Sequence, residues 1–108
     1  MDGLEIEYEN GVMRASVGGD VDHHMCASVR EDIDRAFFKY APKKLILDLT
    51  GMKFMDSSGL GLIMGRHTLM SSLGGTLTVR RPNERVVRIF KLAGLERIVT
   101  IEEGKHEA

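Results

Sequence analysis

The segment Met55-Asp56-Ser57-Ser58-Gly59-Leu60-Gly61 brings a carboxylate, two adjacent hydroxyls and two glycines to the point where an apolar run gives way to a helical pattern. A helix start presents backbone N–H groups without intrahelical partners, together with the positive end of the helix dipole, so negative charge is stabilised there. A phosphoryl group on Ser57 would add about −1.5 to −2 charges and three acceptor oxygens, changing what docks while leaving the fold in place. Asp56, Ser57 and Ser58 also read as ordinary capping residues, because Asp and Ser oxygens accept hydrogen bonds from a first helical turn. Neither serine completes a capping box, since Leu60 and Gly61 stand three residues on, where Glu or Gln is needed. Gly59, Gly61 and Gly65 each cost about 1 kcal/mol against alanine in a helix interior. Either Gly61 and Gly65, four apart, admit a packed neighbour, or Gly59 and Gly61 admit a partner's backbone or nucleotide to the serine.

Other chemistries fit the spacing less well. A dinucleotide fingerprint requires GxGxxG, and Met64 occupies its third glycine place; no GxxxxGK[ST] occurs either. The nucleophile elbow GxSxG is missing, and Asp56 directly before Ser57 opposes a developing oxyanion. Hydrolysis is therefore not expected, and His67 on the apolar stripe of its helix reads as a packed side chain. Asp20, Asp22, His23 and His24 form a second polar cluster. Adjacent histidines point apart on a strand or a helix, and no HExxH or distant Cys converges on them, so no metal is expected. The expectation is that an aspartate caps a helix with the histidines at its exposed start, or that this loop lies beside the Ser57 loop. No cofactor is implied.

The elements that position these loops follow from periodicity. Leu4, Ile6 and Tyr8 alternate with glutamates, Asn10-Gly11 supplies a hairpin turn, and Met13, Ala15 and Val17 continue the alternation until Gly18-Gly19 breaks it. Val29, Ile33, Ala36, Phe37 and Tyr40 mark a helix over Met25–Tyr40, ending before Pro42. Leu45–Leu49 reads as a central strand covered by helices on one or both faces, followed by a short loop. From Ser57 onward, Leu60, Ile63, Met64, His67, Met70 and Leu73 trace a second helical stripe, terminated by Gly74-Gly75. Thr76–Arg80 is a strand, Pro82 and Asn83 open a third helix buried through Val86, Ile89, Phe90 and Ala93, and Ile98–Ile101 is the last strand. The whole is α/β, a single domain over residues 1–102 with a short charged tail at 103–108.

A length of 108 residues suits one core, and 43% apolar with 29% charged residues is the composition of an ordinary folded domain. The net charge of −1 argues against nucleic acid as partner, despite the local run of Arg80, Arg81, Arg85, Arg88 and Lys91. A lone cysteine, Cys26, forms no internal disulfide and fits a reducing compartment. No stretch approaches the ~20 apolar residues of a membrane span, so a cytoplasmic location is expected.

Gly19-Asp20-Val21-Asp22-His23-His24 and Phe54-Met55-Asp56-Ser57-Ser58-Gly59-Leu60-Gly61 together resemble the sporulation anti-anti-sigma factor branch of the STAS family. The likeness extends over the hairpin, Leu47-Asp48-Leu49, Gly74-Gly75 and Leu92-Ala93-Gly94-Leu95. The resemblance implies a STAS fold, a mixed, mostly parallel sheet entered through a hairpin with helices packed against it. It implies a non-enzymatic switch: the unmodified protein binds a nucleotide-loaded anti-sigma factor that is also a serine kinase, releasing a sigma factor. The kinase then phosphorylates Ser57 and inactivates its antagonist, and a serine phosphatase resets the cycle. Asp22, His23, Asp56, Ser58, Gly59, Leu60 and Gly61 would form the partner-binding face of a chain that is monomeric when free. A scaffold module of a larger stress-signalling assembly is the alternative. Sporulation members continue into a final helix where this sequence has only Glu103-Gly104-Lys105-His106-Glu107-Ala108.

Overall fold

The computed structural model describes residues 3–103; residues 104–108 of the expected tail lie outside them. The elements run β1 (Gly3–Glu9), β2 (Val12–Val21), α1 (His23–Tyr40), β3 (Lys44–Asp48), β4 (Met52–Met55), α2 (Ser58–Ser72), β5 (Thr76–Arg80), α3 (Glu84–Ala93), a 3-10 turn (Leu95–Arg97) and β6 (Thr100–Glu102). Asn10 and Gly11 turn β1 into antiparallel β2 with φ of 52° and 82°, the positive values a tight hairpin needs. The order β1-β2-β3-β5-β6 is otherwise parallel, as crossovers through helices dictate. The expected mixed, mostly parallel sheet is thus observed.

Alternation fixes which face is covered. Met13 and Ala15 of β2 lie in register with Leu45 and Leu47 of β3, and these with Leu77 and Val79 of β5, on the buried side, where Val17 joins them opposite Leu4 of β1. The opposite side carries Arg14, Asp48, Arg80 and Glu102, with Arg14 paired to Glu7 and Arg80 Nε 3.0 Å from Glu102 Oε1. The core face receives Val29, Ile33 and Phe37 from α1, Ile63 and Met70 from α2, and Val86 and Phe90 from α3. Each such side chain contributes about 1.5–3 kcal/mol by leaving water. At the end of α1, Tyr40 stacks on Tyr8 with ring centroids 4.6 Å apart.

Several sequence expectations are corrected. Gly18-Gly19 does not break β2. Gly19, at φ 84°, forms a bulge at which β2 leaves β3 and continues beside β4, so one strand serves two parallel partners. That second partner, β4, occupies the expected loop; its burial order of in, out, out, in carries no period-two signal. The sheet therefore has six strands rather than five. α1 begins at His23, two residues early, because Asp22 caps it. β3 is one residue earlier than expected, at Lys44–Asp48. The last strand lies at Thr100–Glu102, since a 3-10 turn takes Leu95–Arg97 and leaves Ile98 47% exposed. Ala93 of α3 is exposed. In α2 the buried line runs through Gly59, Leu62, Ile63, Arg66 and Met70, whereas Leu73, expected inside, is 67% exposed.

Candidate functional site

β2 and β4 are parallel neighbours, with Val21 in register with Met55, so the chain leaves both strands at the same end of the sheet. The Asp22-His23 and Asp56-Ser57-Ser58 segments therefore meet although more than thirty residues separate them. Asp22 caps α1, its Oδ1 accepting from Met25 N–H at 2.9 Å. Asp56 accepts twice: Oδ1 from Ser58 N–H at 2.9 Å and Oδ2 from His23 N–H at 3.0 Å. His23 Nδ1 lies 3.0 Å from Ser58 Oγ. One carboxylate thus ties both helix starts together, and one histidine engages the second serine.

The two open readings of the serines separate here. Asp56 caps α2 through the Ser58 N–H. The Ser58 hydroxyl is engaged by His23. Ser57 is exposed, helical in backbone, and its side chain makes no capping bond. Among the described residues its hydroxyl has no internal partner. The N–H groups expected to await an anion are already used, that of Ser58 by Asp56 Oδ1, that of Gly59 by Asp56 O at 3.0 Å, and that of Leu60 by Ser57 O at 3.1 Å. The helix dipole still favours negative charge on Ser57.

The glycines divide differently from either expectation. Gly59 is buried, and a methyl on it would overlap Met55 Cγ and Sδ, so its role is close packing and not access from outside. Around Gly61 and Gly65 a methyl would meet nothing within 4 Å, so no neighbour packs against them. Leu60 is half-buried, and His24 and Asp20 are exposed beside the site. His67 is half-buried on α2.

Two buried groups complete the surroundings. Cys26 lies beneath the site, and burial first, then Asp56 and Asp22, push its thiol above its ordinary range and keep it protonated. Arg66, missed in the sequence, is 8% exposed and sits 3.0 Å through Nε from Oδ1 of Asp34 on α1. Burial lowers the Arg66 pKa, Asp34 offsets this, and nearby Arg30 adds to the lowering. The spacing of Leu62, Arg66 and Met70 was its signal: four-residue steps place the arginine on the inward line. Among the described residues no group of three or more His, Cys, Asp or Glu could hold a metal ion. No helix among them is long and apolar enough to cross a membrane.

A family model described as the STAS domain matches residues 4–108. The chain belongs to the STAS domain family. Among STAS relatives, it is similar to an anti-sigma F factor antagonist of Paenibacillus polymyxa, with 35% identity over 97% of this chain and 90% of the relative. Among solved structures it resembles the Bacillus cell-fate determinant SpoIIAA in its phosphorylated form, with TM-score 0.76 and 25% identity over 96% and 93% of the two chains. An anti-sigma factor antagonist from Mycobacterium paratuberculosis superposes with TM-score 0.84 over 94% and 86% at 22% identity, a likeness of fold alone. The STAS fold read from the hairpin, the central strand and the two polar loops is the fold observed.

Proposed function

We propose that this chain is an anti-sigma factor antagonist switched by phosphorylation of Ser57. Its partner is an anti-sigma factor with serine kinase activity, which binds the unmodified chain and lets a sigma factor go; a phosphatase restores the unmodified form. The chain itself catalyses nothing in this cycle, because the nucleotide and the transfer machinery belong to the kinase. The relative in Paenibacillus polymyxa carries the antagonist name, and a structural neighbour is described in a phosphorylated form.

The observation that carries the reading is the contrast between adjacent serines: Ser58 is engaged by His23, whereas Ser57 is exposed with an uncommitted hydroxyl. A phosphoryl group on Ser57 would stand at the exposed start of α2, on a side chain that makes no capping bond. It then acts on the docking surface formed by Asp22, His23, Ser58, Leu60 and Gly61, with Asp56 bracing that surface and Gly59 packed beneath it. Like charge against an acidic or nucleotide-loaded partner weakens docking.

The test is incubation with purified anti-sigma F factor and ATP, followed by phosphopeptide mass spectrometry. One phosphate on Ser57 is expected, and none on Ser57→Ala. Ser57→Asp should weaken complex formation by about tenfold or more, while its melting temperature stays within about 2 °C of the parent, as for an exposed substitution. Modification at Ser58, or full modification of Ser57→Ala, overturns the assignment.

A further inference from the structure

Ser57 and Ser58 are adjacent, carry the same hydroxyl and stand at the start of the same helix, so a kinase that reaches one comes within one residue of the other. Burial alone does not separate them. Ser58 is half-buried and lines a cleft of about 540 Å³ between α1 and α2, where a methyl on Gly61 or Gly65 would meet nothing within 4 Å. There is open space beside the Ser58 hydroxyl, and the group that meets it there is the His23 ring, with Nδ1 3.0 Å from Oγ.

The two side chains are held toward each other by their backbones. Asp56 accepts from His23 N–H at 3.0 Å and from Ser58 N–H at 2.9 Å, which pins both residues to one carboxylate, and Asp22 caps α1 directly before His23. A serine–histidine contact is also the form of an activated nucleophile, which needs a third group to orient the imidazole. Both Asp56 oxygens go to backbone N–H groups instead, and among the described residues His23 Nε2 has no hydrogen-bond partner. The contact therefore restrains Ser58 and does not activate it. His24, next in sequence, is exposed and among the described residues makes no such contact.

We propose that His23 is a positioning residue that sets which serine accepts the phosphoryl group, withholding Ser58 and leaving Ser57. The inference rests on the partner-switch reading and deepens it by naming what makes the choice between the two hydroxyls. Transfer forms a bond from a serine Oγ to the γ-phosphorus of the kinase's nucleotide, breaks the bond from that phosphorus to the bridging oxygen of the diphosphate, and passes the hydroxyl proton to a base of the kinase. Such an attack needs an Oγ free to turn into line with the phosphorus. Among the described residues the Ser57 hydroxyl has no internal partner and is free to turn. The Ser58 hydroxyl must first leave Nδ1 and turn away from the ring.

The test is phosphopeptide mass spectrometry of the full chain after incubation with purified anti-sigma F factor and ATP, at kinase levels that modify the parent completely. Ser57→Ala should carry no phosphate, and the double variant His23→Ala/Ser57→Ala should gain one on Ser58. In His23→Ala alone the share of phosphate on Ser58 should rise by about fivefold or more, the factor that one hydrogen bond contributes. His23→Asn, whose side-chain amide reaches the place of Nδ1, should restore modification of Ser57 alone, and His24→Ala should leave it unchanged. A role confined to docking or folding slows modification of both serines and moves no phosphate from one to the other. Absence of Ser58 phosphate from both His23→Ala chains overturns the proposal, as does an equal gain of Ser58 phosphate in His24→Ala. A second readout needs no kinase: the ring ¹⁵N shifts of His23 should move in Ser58→Ala and stay in place in Ser57→Ala, and equal movement in the two variants also overturns the proposal. A parent modified at neither serine sinks the partner-switch reading and this role with it, whereas a parent modified on Ser57 whose His23→Ala variant keeps that site alone sinks only the role of His23.

Discussion

Asp56 holds the site together with a single carboxylate. Its two oxygens accept from the backbone of His23 and of Ser58, so both loops are fixed relative to each other and Ser57 is left facing outward. Hydrogen bonds to a charged acceptor are worth more than neutral ones, and losing both takes the acceptor from the exposed His23 N–H and from the part-buried Ser58 N–H. Asp56→Ala should therefore destabilise the chain by about 1–3 kcal/mol, read from the urea midpoint at unchanged slope. Asp56→Asn keeps one acceptor oxygen and should lose less; equal losses for the two variants would show that the paired acceptance does not matter. Asp and Ser at this spacing were legible as capping residues, but which oxygen meets which N–H was not, because His23 comes from a different element.

At the scale of the element, α2 separates glycines that a helix propensity treats as equal. Gly59 faces the buried Met55 side chain, 1% exposed, and a methyl there overlaps its Cγ and Sδ. Forcing extra volume into a packed site costs about 1–3 kcal/mol, more than the propensity gain. Gly61 faces open space, so only the propensity term acts, worth about 1 kcal/mol in favour of alanine. Thermal unfolding should show Gly59→Ala melting lower than the parent and Gly61→Ala melting higher. If both shift in the same direction, the packing assigned to Gly59 is wrong. The caps of α3 follow the same logic and were readable in advance: Asn83 Oδ1 accepts from Val86 N–H at 2.9 Å and Gly94 ends the helix at φ 72°. The side-chain amide of Asn83 also donates to Met52 O and Lys53 O, at 3.0 and 3.2 Å, which closes the outer side of β4.

Across the whole molecule, the uncovered face of the sheet carries a charge pattern assembled from several strands. Asp48 of β3 is desolvated, which raises its pKa, but the Thr50 hydroxyl at 2.6 Å and the Thr50 N–H at 3.0 Å outweigh that, helped by Arg14 of β2 and Arg80 of β5. The net displacement is downward from 3.8. A carboxyl whose folded pKa is depressed contributes stability above its unfolded pKa and loses it as pH falls through the folded value. Asp48→Asn should then lower the urea midpoint at neutral pH, with the difference shrinking as pH falls through the depressed folded value and the carboxyl loses its charge. A difference independent of pH would show that the ionised form has no special place in the sheet.

Alternation in the first hairpin, the apolar run of β3, the helical stripe of α1 and the cap at Asn83 are local patterns, legible in the residues alone. Each depends on neighbours a few residues apart, where periods of two and 3.6 decide which side is covered. The bend at Gly19, the strand β4, the inward place of Arg66 and the separate roles of Ser57 and Ser58 were decided only by tertiary structure. They depend on which distant backbone lies alongside: β4 is a strand because β2 passes it, and Ser58 is engaged because the parallel pairing of Val21 with Met55 delivers His23 to it.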